Sequence, residues 1–143
     1  MFWQKKKDNP TAESAAEKVG LEAEGFYRSG KMHCAEAVLM AARNEYFPAL
    51  PEEIVRAAAG FGGGGGVGCI CGAVSGGTMA FGLALPDDKR RVKKLTKELH
   101  EWFKREYGAA CCRIAMPNAK AKGGCAVLTG EVAKKMAELL SLG

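Results

Sequence analysis

The chain has 143 residues, enough for one domain with a real core and too few for two. With 48% apolar residues it is not a disordered chain. Its 21 lysines and arginines against 16 acids leave a net charge of +5, but no aromatic stacking platform or recognised motif accompanies them, so nucleic-acid binding is not expected.

The first ten residues, Met1 to Pro10, read as a flexible, lysine-bearing tail, and the remainder, 11–143, as one helical domain. No apolar run follows the charges of the tail, so it is not a secretory signal, and the cytoplasm is the default compartment. Phe2 and Trp3 offer the tail a way to pack on a second subunit, as a homodimer would require. Beyond the tail, Thr11 is placed as an N-cap, and Ala15, Val19, Ala23 and Phe26 form an apolar stripe that ends near Gly30. A second helix begins near His33 and Cys34, carries Ala37, Val38 and Ala41, and stops before Pro48. Pro51, Glu52 and Glu53 open a third, which runs through Ile54, Val55 and Ala58 into a glycine loop.

A fourth helix is read over 71–85, closed by Pro86. Asp87 and Asp88 start the longest and most amphipathic one, with Val92, Leu95, Leu99, Trp102 and Phe103 on one side and lysines and arginines on the other. It ends at Gly108. The segment 109–124, with Cys111, Cys112 and Pro117, reads as short and irregular. A last helix over 125–140 carries Val127, Leu128, Val132, Met136, Leu139 and Leu140. No segment shows strand alternation. The expected fold is an all-α, single-domain bundle of about five to six helices, with the glycine-rich loop leading into a buried central helix.

Residues 57–86 are uncharged, and 67–85 within them are about as long as a membrane span. They are rich in glycine, serine and threonine rather than leucine and isoleucine, however, so a glycine-packed helix buried by its neighbours is expected instead. Gly60 to Gly65 formally matches the dinucleotide fingerprint GxGxxG, but Arg56 and the alanines after it read as the end of a helix, not of the strand that fingerprint requires. No Gly-Lys-Ser/Thr follows. Bare backbone N–H groups at Gly64, Gly65, Gly66, Gly68 and Gly72 suit sulfur better than phosphate.

The chemistry of the chain lies in its six cysteines. Grouped cysteines in a chain of the reducing cytoplasm point to metal, cluster or thiol chemistry rather than to structural disulfides. On the helix map Cys34, Cys71 and Cys125 each fall at a helix start, where the positive end of the helix dipole favours a thiolate. Cys112 stands beside Arg113, whose cation would act in the same sense. His33 reads as a helix N-terminal residue and His100 as structural. No pair of carboxylates suggests acid–base catalysis.

These residues resemble the small redox-active protein family named for its cysteine signature, C_GCAxxG_C_C. The matching pieces are Gly30 to Leu39 around Cys34, the glycines from Gly62 to Gly68, Cys71 to Gly76, then Cys112 with Arg113, and Cys125. The resemblance implies sulfur-based redox chemistry. A similar domain occurs in some multihaem proteins of sulfate reducers that carry an iron–sulfur centre, so it also implies a cluster on Cys34, Cys71, Cys112 and Cys125. Haem attachment is not expected, because no Cys-x-x-Cys-His is present. Cys69 and Cys111 depart from the four-cysteine pattern and are candidate substitute ligands.

Three chemistries remain open from the residues. An iron–sulfur cluster wants thiolates, N–H donors and shielding from water. A thiol–disulfide protein wants a long-range pair such as Cys71 with Cys112 or Cys125. A non-redox Zn²⁺ or Cu⁺ site would draw on Cys69, Cys71, Cys111 and Cys112. The first makes the protein an electron carrier, redox sensor or oxidoreductase, and the basic runs at Lys5 to Lys7 and Lys89 to Lys97 point to an acidic redox partner protein.

Overall fold

The computed structural model describes residues 10–142. Six α-helices follow one another: α1 (Pro10–Arg28), α2 (Cys34–Tyr46), α3 (Gly72–Ala84), α4 (Lys89–Tyr107), α5 (Cys112–Ala121) and α6 (Cys125–Ser141). Between α2 and α3 the chain forms a 3-10 segment, Glu52–Phe61, and a π-turn, Gly64–Gly68. No strand occurs among the described residues, which carry only an isolated antiparallel bridge between Ile70 and Cys111. The fold is all-α, as expected. The expected tail lies, Pro10 aside, outside the described residues, and with it the packing role of Phe2 and Trp3. Thr11 falls inside α1 rather than capping it.

α3 is the central helix. Gly72, Ala73, Val74, Gly76, Gly77, Ala80 and Phe81 are buried, and α2, α4 and α6 pack around it. Its small residues are what admit the neighbours. A Cβ at position 76 would stand 2.5 Å from the Ala35 carbonyl oxygen, so α2 rests directly on the α3 backbone. That close packing buries the uncharged helix inside the protein. No helix among the described residues is long and apolar enough to cross a membrane.

α4 buries one stripe, Leu95, Leu99, Phe103 and Tyr107, at the three-to-four-residue spacing of an amphipathic helix. Asp88 caps its start by accepting a hydrogen bond from the Arg91 N–H at 3.0 Å, and Gly108, at φ 93°, ends it in a conformation that favours glycine. α1 lies along α6. Their backbones touch where Gly20 and Gly130 meet, since a Cβ on Gly130 would come within 2.9 Å of the Gly20 carbonyl oxygen.

Two elements differ from expectation. The third helix is 3-10 rather than α, and Val55 and Ala58, three residues apart, are its buried pair, which matches three residues per turn. The segment read as irregular, 109–124, contains α5. Ala115 and Ala119, four residues apart, are its buried side, and Pro117 sits within the helix on its exposed side. Asn118 Nδ2 donates to the Tyr107 carbonyl at 2.8 Å and fastens α5 to the end of α4.

Candidate redox site

α5 changes the cysteine map. Cys34, Cys112 and Cys125 are each the first residue of a helix, and Cys71 is the N-cap of α3. All four line one cavity of about 390 Å³, together with Tyr27, His33, Gly62, Gly63, Met116 and Leu128 among others. The four helices α2, α3, α5 and α6 therefore point their positive ends at a shared space. No lysine, arginine, aspartate or glutamate lines it.

The local sequence explains how the chain reaches this arrangement. The glycine loop turns back on itself through Gly63, Gly64, Gly65 and Gly66, all at positive φ. Gly64, at φ 67°, is the pivot. A Cβ there would stand 2.6 Å from the Cys69 nitrogen and 2.9 Å from the Cys112 Cβ, so no other residue fits between the loop and α5. Beyond the loop the Cys112 N–H donates to the Cys69 carbonyl, and the Cys71 N–H donates to the Ala110 carbonyl at 2.9 Å. These bonds tie the segment before α3 to the segment before α5, which brings Cys71 and Cys112 to the same cavity. Gly72 admits the fourth partner, because a Cβ at that position would stand 2.6 Å from the Cys34 sulfur.

Of the glycines expected to face sulfur, Gly64 and Gly72 are buried against Cys112 and Cys34. Gly68 instead underlies the Arg113 side chain. Gly65 and Gly66 are exposed, and a Cβ on either would meet nothing within 4 Å, so they shape the loop without touching the site. The glycine that does reach a thiol is Gly63, whose N–H is directed at Cys34. Arg113 lies outside the cavity, on the wall of a neighbouring recess.

Cys69 and Cys111 do not line the cavity. Cys69 is exposed, and the Cys111 thiol donates to the Gly68 carbonyl at 3.0 Å. They belong to the bridge that ties the two segments, and the structure does not gather Cys69, Cys71, Cys111 and Cys112 into one ligand set. His33 combines two positions: its N–H donates to Glu36 Oε1 at 2.9 Å at the start of α2, while it also lines the cavity. Tyr27 was not foreseen. It sits near the end of α1 one turn after Ala23, a spacing that places both on one side of the helix.

The expectation of ionised thiols is reversed at Cys34, Cys71 and Cys112. Burial pushes the Cys34 thiol up against the opposing pull of the Gly63 and Ala35 N–H groups, and the negative charge of Cys112 and Cys125 adds to the rise. Cys71, only 5% exposed, is pushed up to about 12 by burial and then by Cys34. Cys112 is raised by burial, with Cys125 and Cys111 adding to it. Burial likewise raises Tyr27, followed by Cys125 and Cys34. Withdrawal from water and mutual repulsion outweigh the helix dipoles, each of which contributes at most about 2 kcal/mol.

Among the described residues no three His, Cys, Asp or Glu side chains are grouped closely enough to hold one metal ion. A mononuclear centre needs all its sulfurs within about 2.3 Å of a single atom. An iron–sulfur cluster spreads its thiolate ligands over several irons around a multi-atom core, so thiols ringed about a cavity fit it better. The donor set, the apolar lining and the N–H groups directed at Cys34 and Cys71 agree with such a group.

The fold and the cavity thus define an all-helical protein with four cysteines at converging helix starts. The sequence profile of the C_GCAxxG_C_C family, described as "Putative redox-active protein", matches residues 32–139, and the chain belongs to that family. No curated protein and no solved structure matched the chain.

Proposed function

We propose that the protein is an electron-transfer or redox-sensing protein whose Cys34, Cys71, Cys112 and Cys125 hold an iron–sulfur cluster. The observation that carries this reading is the single cavity onto which the four thiols and four helix N-termini converge. Cys34 and Cys71, whose thiols burial keeps protonated, are poor free nucleophiles, and they ionise readily only when a cationic centre compensates their charge. When bound, a cluster supplies one-electron chemistry. The chain's own residues direct N–H groups at Cys34 and Cys71, keep charged side chains out of the lining and place the buried Leu128 against it.

The measurement is anaerobic reconstitution with iron and sulfide, followed by iron, sulfide and zinc analysis and visible absorption. Iron and sulfide should be incorporated together, with little zinc. Cys71→Ser and Cys125→Ser should lose them, while Cys69→Ser and Cys111→Ser should retain them. A colourless, iron-free product from the folded protein overturns the cluster.

One observation favours a second reading, a two-electron dithiol. Cys112 is only partly buried and borders both the cavity and the neighbouring recess, where an external disulfide could reach it. A reversible two-electron titration of the metal-free protein, lost in both Cys112→Ser and Cys125→Ser, would establish it.

An acidic partner protein fits the cysteine end of the molecule better than the Lys89 to Lys97 run. Arg91 donates to the Leu140 carbonyl at 3.1 Å, so that run sits at the far end of α6 from Cys125. Fifteen residues of helix separate Leu140 from Cys125, about 22 Å at 1.5 Å per residue. Phe61, Val67, Ile70, Ile114 and Met116, from the glycine loop and α5, are exposed apolar side chains of the kind such docking uses.

A further inference from the structure

The recess beside Cys112 has chemistry of its own. It encloses about 330 Å³ between the glycine loop and α5, and it shares Cys112 and Met116 with the four-cysteine cavity. Cys112, Arg113, Met116, Pro117 and Lys120 recur at the spacing of one helix face, so a single side of α5 forms its wall. Met116 and Pro117 make that wall apolar, while Arg113 and Lys120 bring two positive charges to it. Among the described residues neither cation is in an ion pair, and no carboxylate lines the recess. Gly68 is what leaves room for the Arg113 side chain: a Cβ there would stand 2.7 Å from its Cγ and 2.8 Å from its Nε. An apolar slot with two cations and a thiol at one end matches a molecule that joins carboxylates to sulfur.

We propose that this recess binds a small disulfide bearing carboxylate groups and presents its sulfur to Cys112. The inference rests on the second, dithiol reading above, in which Cys112 is a free thiol. In the step itself Cys112 gives its proton to water, and the resulting thiolate attacks one sulfur of the bound disulfide. The external S–S bond breaks, a bond forms between Cys112 and the attacked sulfur, and the other half leaves as a thiolate that takes a proton from water. Cys112 is oxidised and the leaving sulfur is reduced. Arg113 and Lys120 hold the carboxylates and so raise the local concentration of an anionic disulfide over a cationic one.

The test treats the metal-free full-length protein at pH 8 with glutathione disulfide or with cystamine, its cationic counterpart, and follows mixed-disulfide formation by intact mass. Rates are referred to those of N-acetylcysteine with the same two reagents. The protein should prefer glutathione disulfide by about tenfold over that reference, and added salt should shrink the preference. The surface variant Arg113→Gln/Lys120→Gln should remove it, and Cys112→Ser should abolish the preferred adduct. An equal ratio in the parent protein and the double variant overturns the proposal, as does a preferred adduct that persists in Cys112→Ser and maps to Cys69. A protein that takes up iron and sulfide yet shows no charge preference loses this inference alone.

Discussion

At the scale of single residues, the cavity shows how position decides what a thiol can do. Cys71 and Cys69 are two residues apart, yet one is buried behind the start of α3 and the other is exposed on the bridge. Their expected reactivities differ accordingly. A bulky alkylating reagent should label Cys69 first in the folded, metal-free protein and Cys71 only on unfolding, which peptide mapping after timed exposure would read directly. A second residue works against stability. Thr129 in α6 is fully buried, and its hydroxyl has no hydrogen-bond partner among the described residues. Valine has nearly the same shape without the polar atom. Thr129→Val should therefore raise the unfolding free energy by about 1 kcal/mol, as measured by denaturant titration. An unchanged or lower midpoint would show that the hydroxyl is satisfied in solution.

At the scale of elements, α3 is held in place by what its first residue lacks. Gly72→Ala would set a methyl group 2.6 Å from the Cys34 sulfur and 2.7 Å from the Phe61 carbonyl oxygen, and the latter is backbone that cannot rotate away. The helix start must shift, at a cost of about 2 kcal/mol. Gly82→Ala, where a Cβ meets nothing within 4 Å, is the control and should be neutral or slightly stabilising. The elements also show what the sequence could carry. α4 was legible because its stripe from Leu95 to Phe103 repeats at helical spacing and because Asp88 and Gly108 mark its ends. α5 was hidden by Pro117, which signals a break when read alone. The structure keeps the proline on the exposed side and holds the short helix through Ala115, Ala119 and the Asn118 bond, tertiary contacts that local sequence does not display. Cys34, Cys71 and Cys125 were legible as helix starts, whereas the helix start at Cys112 and the parts of Gly63 and Tyr27 depended on how the loop folds back and how α5 and α1 lie. The direction of the thiol shifts was misread for a related reason, since a dipole is a property of one helix and burial a property of all of them.

At the scale of the whole molecule, four helices of one bundle begin around a common space, so the thiols are withdrawn from water by the same packing that stabilises the fold. That coupling has a consequence for pH. Cys71 rises from 9.0 to about 12 on folding, and Cys34 and Cys112 are raised in the same direction. The raised values mean that the folded state holds its thiol protons where the unfolded chain has released them. Below about pH 9 both states are protonated and the thiols leave stability unaffected. As pH rises from 9 towards 12, ionisation favours the unfolded chain, and the buried Cys71 thiol lowers stability by up to about 1.4 kcal/mol per pH unit. The metal-free protein should thus lose stability steeply on the alkaline side, beginning near the ordinary thiol range and well below the lysine range. Cys71→Ala, which removes the most strongly shifted group, should start from a lower plateau and show a shallower alkaline limb in urea titrations between pH 7 and 11. Parallel limbs for the two proteins would mean that Cys71 reaches water in the folded state, and that the packing around the start of α3 does not seal the cavity.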